Sequence, residues 1–205
     1  MADSLYKNNI NEDFSKKLEF LILLDKMKGV YRQTLLADKS RRETDAEHSW
    51  HIAMMAMLFA DLAPEGVQRD RSIRMCLVHD LVEIYAGDTF CFDVKAGEDK
   101  EEREKQAAEK LFAILPEKDG EELKSLWLEF ETQSTPDALF AASLDRLQPL
   151  INNILTDGHT WRKGKVVRRQ VEERASVIEQ GFPAAWQTVC AVIDEAEKKG
   201  YFQNR

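Results

Sequence analysis

The sequence predicts an all-α protein, and three observations carry that prediction. Apolar residues recur at helical spacing through most of the 205 residues. No segment alternates apolar and polar residues with period two over a useful length, so no sheet is expected. Helix-stopping residues fall between the periodic stretches, at Gly29, Pro64, Gly66, Pro116 and Gly158. About seven or eight helices fit this punctuation. They read as a single domain over residues 1–205, with no obvious linker, internal repeat or low-complexity stretch.

Asp13 to Lys28 reads as the first helix, with Phe14, Leu18, Leu21 and Leu24 on one stripe and Gly29 as its stop. Residues 30–42 carry no clean period and read as a connecting loop loaded with Arg32, Arg41 and Arg42. Thr44-Asp45-Ala46-Glu47 is a capping-box pattern that opens a strongly apolar helix to about Leu62. The next helix runs from about Asp70 to Ala86, followed by a loop over Thr89 to Glu98. Asp99 to Leu115 is a charged helix ended by Pro116, and Glu117 to Thr132 is another, carrying Leu123, Leu126, Trp127 and Phe130. Thr135-Pro136 supplies an N-cap and a proline at the first helical position. That helix runs to about Asp157, with a kink expected at Pro149. Two helices, Val166 to Gln180 and Pro183 to Lys199, complete the chain over about residues 165–199.

Composition bounds the function. Apolar residues make up 43% of the chain, enough for a real core, and the 32% of charged residues are well mixed, which argues against disorder. A net charge of −8 argues against a nucleic-acid polymer or an anionic membrane as partner, while leaving small anionic substrates open. Cys76, Cys91 and Cys190 form no CxxC and no even framework, so they read as reduced thiols of a cytoplasmic protein. Residues 1–7 lack the pattern of a signal peptide, and no apolar run approaches the ~20 residues of a membrane span. The basic run Arg162, Lys163, Lys165, Arg168 and Arg169 is mixed with Glu172 and Glu173 and reads as a solvated helix face.

The stretch Met75 to Asp88 asks for chemistry. Read as a helix, it puts Leu77, Val78, Leu81, Ile84 and Tyr85 on one side and His79, Asp80 and Glu83 on the other, beside small residues. Carboxylates are rarely buried unpaired, and a divalent cation is a good partner for an imidazole with carboxylates. His48 tops a buried stripe continued by Ile52, Met55 and Phe59, which gives a second helix with an inward imidazole. A fourth ligand is expected from Asp145, set among Phe140, Ala141, Ala142, Leu144 and Leu147. The bland alternative, a surface pair of Asp145 with Arg146, is not favoured for adjacent helical positions. Glu83 and Asp88 supply two more carboxylates beside this group, as acid–base hydrolysis requires.

These residues, His48, then His79-Asp80, then Asp145, resemble the H…HD…D signature of the HD-domain metal-dependent phosphohydrolases. Glu-His-Ser-Trp at 47–50, His-Asp-Leu-Val-Glu-Ile-Tyr-Ala-Gly-Asp at 79–88, Leu-Trp-Leu-Glu-Phe-Glu-Thr-Gln-Ser at 126–134 and Leu-Asp-Arg-Leu at 144–147 are similar to the 5′-deoxynucleotidase branch. The similarity covers about residues 15–155. The resemblance implies an all-α HD-type domain, one divalent metal ion, nucleoside monophosphate substrates and often a homodimer. It implies His48, His79, Asp80 and Asp145 as metal ligands and Glu83 and Asp88 as the acid–base carboxylates. Arg32 matches the family's phosphate-orienting arginine, and Asp88 to Cys91, with Thr89 among them, match the stretch that touches substrate. The deoxynucleotidases place Trp directly after that arginine, whereas Gln33 stands here, so sugar selectivity is left open. The mixed nitrogen and oxygen ligands suit Mn, Co, Fe, Ni or Zn, with Mg also open. Two further readings stay beside this one. The wider HD group also hydrolyses alarmones and cyclic nucleotides. A non-catalytic nucleotide-sensing helical module would bind without turnover, and the intact Glu83 and Asp88 count against it.

Overall fold

The structure, a computed structural model, describes residues 11–203. The stretch at residues 1–7, on which the expectation about a signal peptide rests, lies outside the described residues in all but position. In chain order the helices are α1 (Glu12–Leu24), α2 (Asp45–Leu58), α3 (Arg69–Val78), α4 (Glu83–Ala86), α5 (Val94–Gly97), α6 (Lys100–Phe112), α7 (Glu117–Thr132), α8 (Pro136–Leu155), α9 (His159–Lys163), α10 (Arg168–Ala175), α11 (Val177–Gly181) and α12 (Pro183–Lys198). Eight of these are eight residues or longer, and they answer one for one to the helices read from the sequence. The short α4, α5, α9 and α11 are local turns that a periodicity argument cannot see.

The long α8 is the buried axis. Phe140, Ala141, Ala142 and Leu144 along it are inaccessible to solvent, and α2, α3, α7, α11 and α12 pack around it. Its small residues allow that close approach, as does Gly181 on α11, where a Cβ would overlap the Leu139 carbonyl oxygen. Thr135 caps α8 by accepting from the Ala138 N–H, with Pro136 in the first turn, and the helix runs on through Pro149. The capping box also forms: the Thr44 hydroxyl accepts from the Glu47 N–H and Glu47 accepts from the Thr44 N–H. It sets the start of α2, three residues before His48. The basic run on α9 and α10 is a solvated face, where Arg168 pairs with Glu172, Asp194 and Glu197, and Arg169 with Glu173.

Three expectations are corrected. The 30–42 stretch is not only a loop: β1 (Tyr31–Leu35) pairs antiparallel with β2 (Arg42–Thr44). The strands are too short to show a period, and the register shifts between Tyr31 and Leu35, so the pairing exists only once the turn at Lys39, φ 63°, closes the hairpin. Second, the helix expected over 70–86 breaks. α3 ends at Val78, and the N–H groups of Leu81, Glu83 and Ile84 bond three residues back, to Val78, Asp80 and Leu81. This tightened turn re-aims the residues that follow it, so the helical wheel fails there. Leu77, expected on the apolar side, is exposed, and Cys76 is buried instead. Third, the stripe on α1 lies largely in the open: Phe14 and Leu21 are 57% and 62% exposed, and Phe20 is the buried residue of the helix. α1 sits at the margin, with its main contacts to the 3₁₀ turn Asp25–Gly29.

Because the capping box closes two orphan donors at the start of α2, Thr44→Ala should cost about 1 kcal/mol of stability. Urea denaturation of the two proteins checks this, and coincident midpoints would show that the cap contributes nothing.

Candidate functional site

Three chain segments meet at one buried point. The capping box starts α2 so that His48 points inward, the tight turn after α3 presents His79 and Asp80, and α8 brings Asp145 from the far side. The His48 Nε2 lies 2.8 Å from Asp145 Oδ1, and His79 Nε2 lies 3.7 Å from the same oxygen. Asp80 Oδ2 is 3.1 Å from His79 Nε2. The structure therefore brings together all four residues expected as ligands. Ligand atoms of His48, His79 and Asp145 fall within 4.8 Å of one another.

The hydrogen bonds behind the imidazoles test whether a metal fits. His79 Nδ1 lies 2.9 Å from the Cys76 carbonyl oxygen, so it carries the proton and donates, leaving the lone pair on Nε2. Gln148 Nε2 donates to Glu43 at 2.7 Å, which turns the Gln148 oxygen toward His48 Nδ1 at 3.1 Å. His48 thus donates through Nδ1 and also aims a lone pair inward. Burial, helped by Arg32, holds its pKa well below the usual imidazole value, so the ring is neutral. Two imidazole lone pairs then face carboxylate oxygens, and His79 Nε2 is buried without a hydrogen-bond partner. A cation satisfies acceptors arranged this way, and proton-donating contacts behind ligand imidazoles are a usual feature of metal sites. The residues fit a divalent metal.

Carboxylates crowd the same point. Burial opposes ionisation of Asp80, but the Arg32 guanidinium beside it holds it well below the usual carboxylate range. Arg32, on β1, donates to Asp80 Oδ2 at 2.7 Å and sits 3.6 Å from Asp45 Oδ1. Burial and then the charge of Asp80 push Asp45 up to about 7 and Glu83 well above its ordinary value. Asp88 is also raised by burial, against the pull of Arg32. Gly87, at φ 75°, ends α4 and turns the chain so that Asp88 lines the same cavity as Glu83.

That cavity, about 140 Å³ and open to solvent, is walled by Arg32, Asp80, Glu83 and Asp88 on one side and by Phe90, Phe92, Leu150 and Trp161 on another. Gln33 and Thr89 line it as well. Adjacent strand residues ordinarily point to opposite faces, and the irregular register of β1 accompanies the shared wall of Arg32 and Gln33. Lys163 on α9 donates to the Gln33 side chain at 3.2 Å, and Thr160 donates to its carbonyl at 3.3 Å. Arg103 on α6 ties down the substrate-side loop, donating to the Ala86 and Ala96 carbonyls and to the Thr89 hydroxyl.

Comparison with known proteins agrees with this geometry. The family model described as HD domain matches residues 24–186. The chain belongs to the HD domain family. This HD chain is 35% identical over 135 residues to the human protein named 5′-deoxynucleotidase HDDC2. That match covers 65% of each chain, so the stretch shared spans just under two thirds of the human relative's length. The fission-yeast 5′-deoxynucleotidase hdd1 is 28% identical over 110 residues, covering 52% of this chain and 54% of that one. Among solved structures, one named "predicted metal-dependent phosphohydrolase" from Magnetospirillum magnetotacticum MS-1 superposes with a TM-score of 0.90 at 48% identity, covering 94% of this chain and 97% of that one. A conserved protein from Pyrococcus furiosus, TM-score 0.56 at 18% identity, shares the fold.

Sequence reasoning missed four residues of this HD site. Gln148 lies one turn beyond Asp145 on α8, and that i,i+3 spacing is a signal that could have found it. Glu43 and Asp45, both buried, flank the capping threonine, where acidic residues pass as ordinary helix-start chemistry. Lys163 is 130 positions from Gln33, and only tertiary structure relates them. The bland pairing of Asp145 with Arg146 does form, through Asp145 Oδ2, while Oδ1 faces the imidazoles.

Burial lifts Glu43 from 4.5 to about 7. A carboxyl raised on folding binds its proton more tightly in the folded state. Its stabilisation is complete below pH 4.5 and is lost as pH rises through about 7. Melting temperatures of the metal-free HD domain should therefore fall between those values, and more steeply than in Glu43→Gln, which keeps an acceptor for Gln148. Parallel curves for the two proteins would mean that Glu43 binds its proton no more tightly in the folded state than in the unfolded one.

Proposed function

We propose that this HD domain removes the 5′-phosphate from ribo- or deoxyribonucleoside monophosphates, using a divalent metal held by His48, His79, Asp80 and Asp145. The observation that carries the reading is the convergence of His79, Asp80 and Asp145 with Arg32, Glu83 and Asp88 in one cavity, with His48 buried directly behind them. The relatives' printed names, 5′-deoxynucleotidase and metal-dependent phosphohydrolase, support the same chemistry. The nitrogen and oxygen donors suit Mn, Co, Fe, Ni or Zn, with Mg the oxygen-preferring alternative.

When bound, the metal supplies Lewis acidity toward the phosphoryl group and makes a nearby water more acidic. The chain's residues do the rest. Arg32 presents a two-pronged donor to phosphate oxygens, held in place by Asp80. Hydrolysis forms one bond from water oxygen to phosphorus and breaks the bond from phosphorus to O5′. Glu83 and Asp88 are placed to take the proton the water loses and to protonate the departing O5′. Phe90, Phe92 and Trp161 offer flat apolar surface for the base, away from the charged wall. The same reading takes residues 1–205 as one domain, since α8 packs against both α2 and α12. A cytoplasmic setting fits Cys76, Cys91 and Cys190, all unpaired. No helix among the described residues is long and apolar enough to cross a membrane. A homodimer belongs to the proposal too, and sedimentation of the protein at twice the chain mass is the outcome expected of it.

The test is turnover of a nucleotide panel by the metal-loaded protein, with Glu83→Gln as control. Release of phosphate from 5′-monophosphates is expected, with kcat falling roughly 10²- to 10⁴-fold in Glu83→Gln while the His48–His79 metal stays bound. Preferred hydrolysis of an alarmone or a cyclic nucleotide would replace the reading, and unchanged turnover in Glu83→Gln would return Glu83 to a structural role.

The sugar choice follows from Gln33. A bulky wall crowding the 2′-hydroxyl discriminates modestly, whereas a polar side chain anchored by Lys163 can pair with that hydroxyl. The ratio of kcat/KM for deoxyribo- over ribonucleotides should be near unity in the native protein and should rise in Gln33→Trp. A strong deoxy preference in the native protein, unmoved by that substitution, would assign the choice to another residue.

A further inference from the structure

Two guanidiniums stand in the cavity with no part in the reaction above. Arg146 follows Asp145 on α8, and Arg174 reaches the same cavity from α10. Both also line an adjoining hollow, which shares Cys91 and Phe92 with the main cavity. The pair therefore stands where the two spaces join. Arg146, 17% exposed, bonds Asp145 Oδ2 and makes no other ion pair among the described residues. Arg174 is half-buried and pairs with no carboxylate among them. Glu173, its neighbour on α10, is taken by Arg169 at 2.6 Å. Glu131, which also lines the main cavity, pairs with neither arginine. Like charges brought together away from water repel, and burial with the charge of Arg174 disfavours the protonated form of Arg146. Steadying Asp145 explains Arg146. It does not explain Arg174, which arrives at the same opening from another helix.

We propose that Arg146 and Arg174 form a second phosphate subsite, which takes the 3′-phosphate of a nucleotide whose 5′-phosphate lies at Arg32 and the metal centre. The inference rests on the reading of that centre as the 5′-phosphate site. Paired guanidiniums suit a phosphate because each presents a planar fork of donors to its oxygens. A bound phosphate also offsets the repulsion between the two arginines. The spacing favours a group on the far side of the sugar. Arg32 Nη2 faces Asp145 Oδ1 at 3.8 Å, whereas Arg146 holds Asp145 Oδ2. The Asp145 carboxylate thus stands between the two cationic places. Phosphates bound at both lie apart, as across a sugar, and not side by side as in a diphosphate. The substrate class that follows is a nucleoside 3′,5′-bisphosphate. Its hydrolysis is the reaction already written: water oxygen bonds to the 5′-phosphorus, the bond to O5′ breaks, and the 3′-phosphate stays on the product.

The test reads binding and does not depend on turnover. Full-length Glu83→Gln protein loaded with Mn²⁺ is titrated by calorimetry with thymidine 3′,5′-bisphosphate and with thymidine 5′-monophosphate, and folding is checked by circular dichroism. The bisphosphate should bind about tenfold or more tightly, the factor expected of charged hydrogen bonds to one added phosphate. Adding Arg174→Gln should remove most of that advantage, and Arg174→Lys, which keeps the charge but loses the fork, should keep part of it. Equal affinities for the two nucleotides overturn the subsite and leave the 5′-phosphate reading standing. Binding of neither overturns both. An advantage unmoved by Arg174→Gln overturns the assignment to this pair. Should that variant fail to fold, an undiminished advantage in Arg174→Lys overturns it instead. Inorganic phosphate separates the two sources of the anion: phosphate bound beside the monophosphate, with no gain for the bisphosphate, overturns the substrate class.

Discussion

Asp45, Asp80, Glu83 and Asp145 lie out of water on three segments of the chain, α2, the turn into α4 and α8. Carboxylates in that setting require positive charge close by, because the loss of hydration costs several kcal/mol per ion even after relaxation. Arg32 reaches three of them, at distances from 2.7 to 3.8 Å, and is the guanidinium on which their charge converges. The neutral His48 adds an acceptor rather than a charge. The rest of the centre is therefore organised to hold a cation, and the elements around it are placed accordingly.

A helix ends or begins beside most of these groups. His48 and Asp45 sit in the first turn of α2, His79 at the C-terminal cap of α3 and Glu83 at the first position of α4. Side chains near helix ends are aimed by caps and tight turns, which are stiffer guides than a loop. Behind them stands a second set of contacts: Cys76 O fixes the His79 ring, and Glu43 orients Gln148, which fixes His48. Each contact selects the imidazole tautomer whose lone pair looks inward. Phe130 packs against the His79 ring with centroids 4.8 Å apart and restricts it further.

The substrate side is built differently. Gly87 to Gly97 has little regular structure of its own apart from α5, and Arg103 on α6 fastens it through the Thr89 hydroxyl and the Ala96 carbonyl, with a third hydrogen bond to the Ala86 carbonyl just before it. Gln33 is held from α9 by Lys163 and Thr160. The charged residues Arg32, Asp80, Glu83 and Asp88 thus come from β1 and the turns around α4, while Leu150 and Trp161 opposite them come from α8 and α9.

The sequence by itself determined the helical class, the eight longer helices and both N-terminal caps, and singled out His48, His79, Asp80 and Asp145, which the fold brings together. These rest on local rules: apolar spacing, capping chemistry and the cost of placing histidine and aspartate on inward faces. Tertiary structure decided the rest. The β1–β2 pairing needs a closed turn, and the break after Val78 follows from bonds to residues three back rather than four. The exposure of Phe14 and Leu21 depends on what α1 meets, which a periodic stripe does not specify. Gln148 and Lys163 earn their roles through partners 100 and 130 positions away. Asp45 looks like an ordinary helix-start acid in the sequence, and only the packing of α8, β1 and the 79–83 turn around it removes it from water. Local patterns state which groups a segment carries, whereas burial and mutual distance belong to the assembled fold.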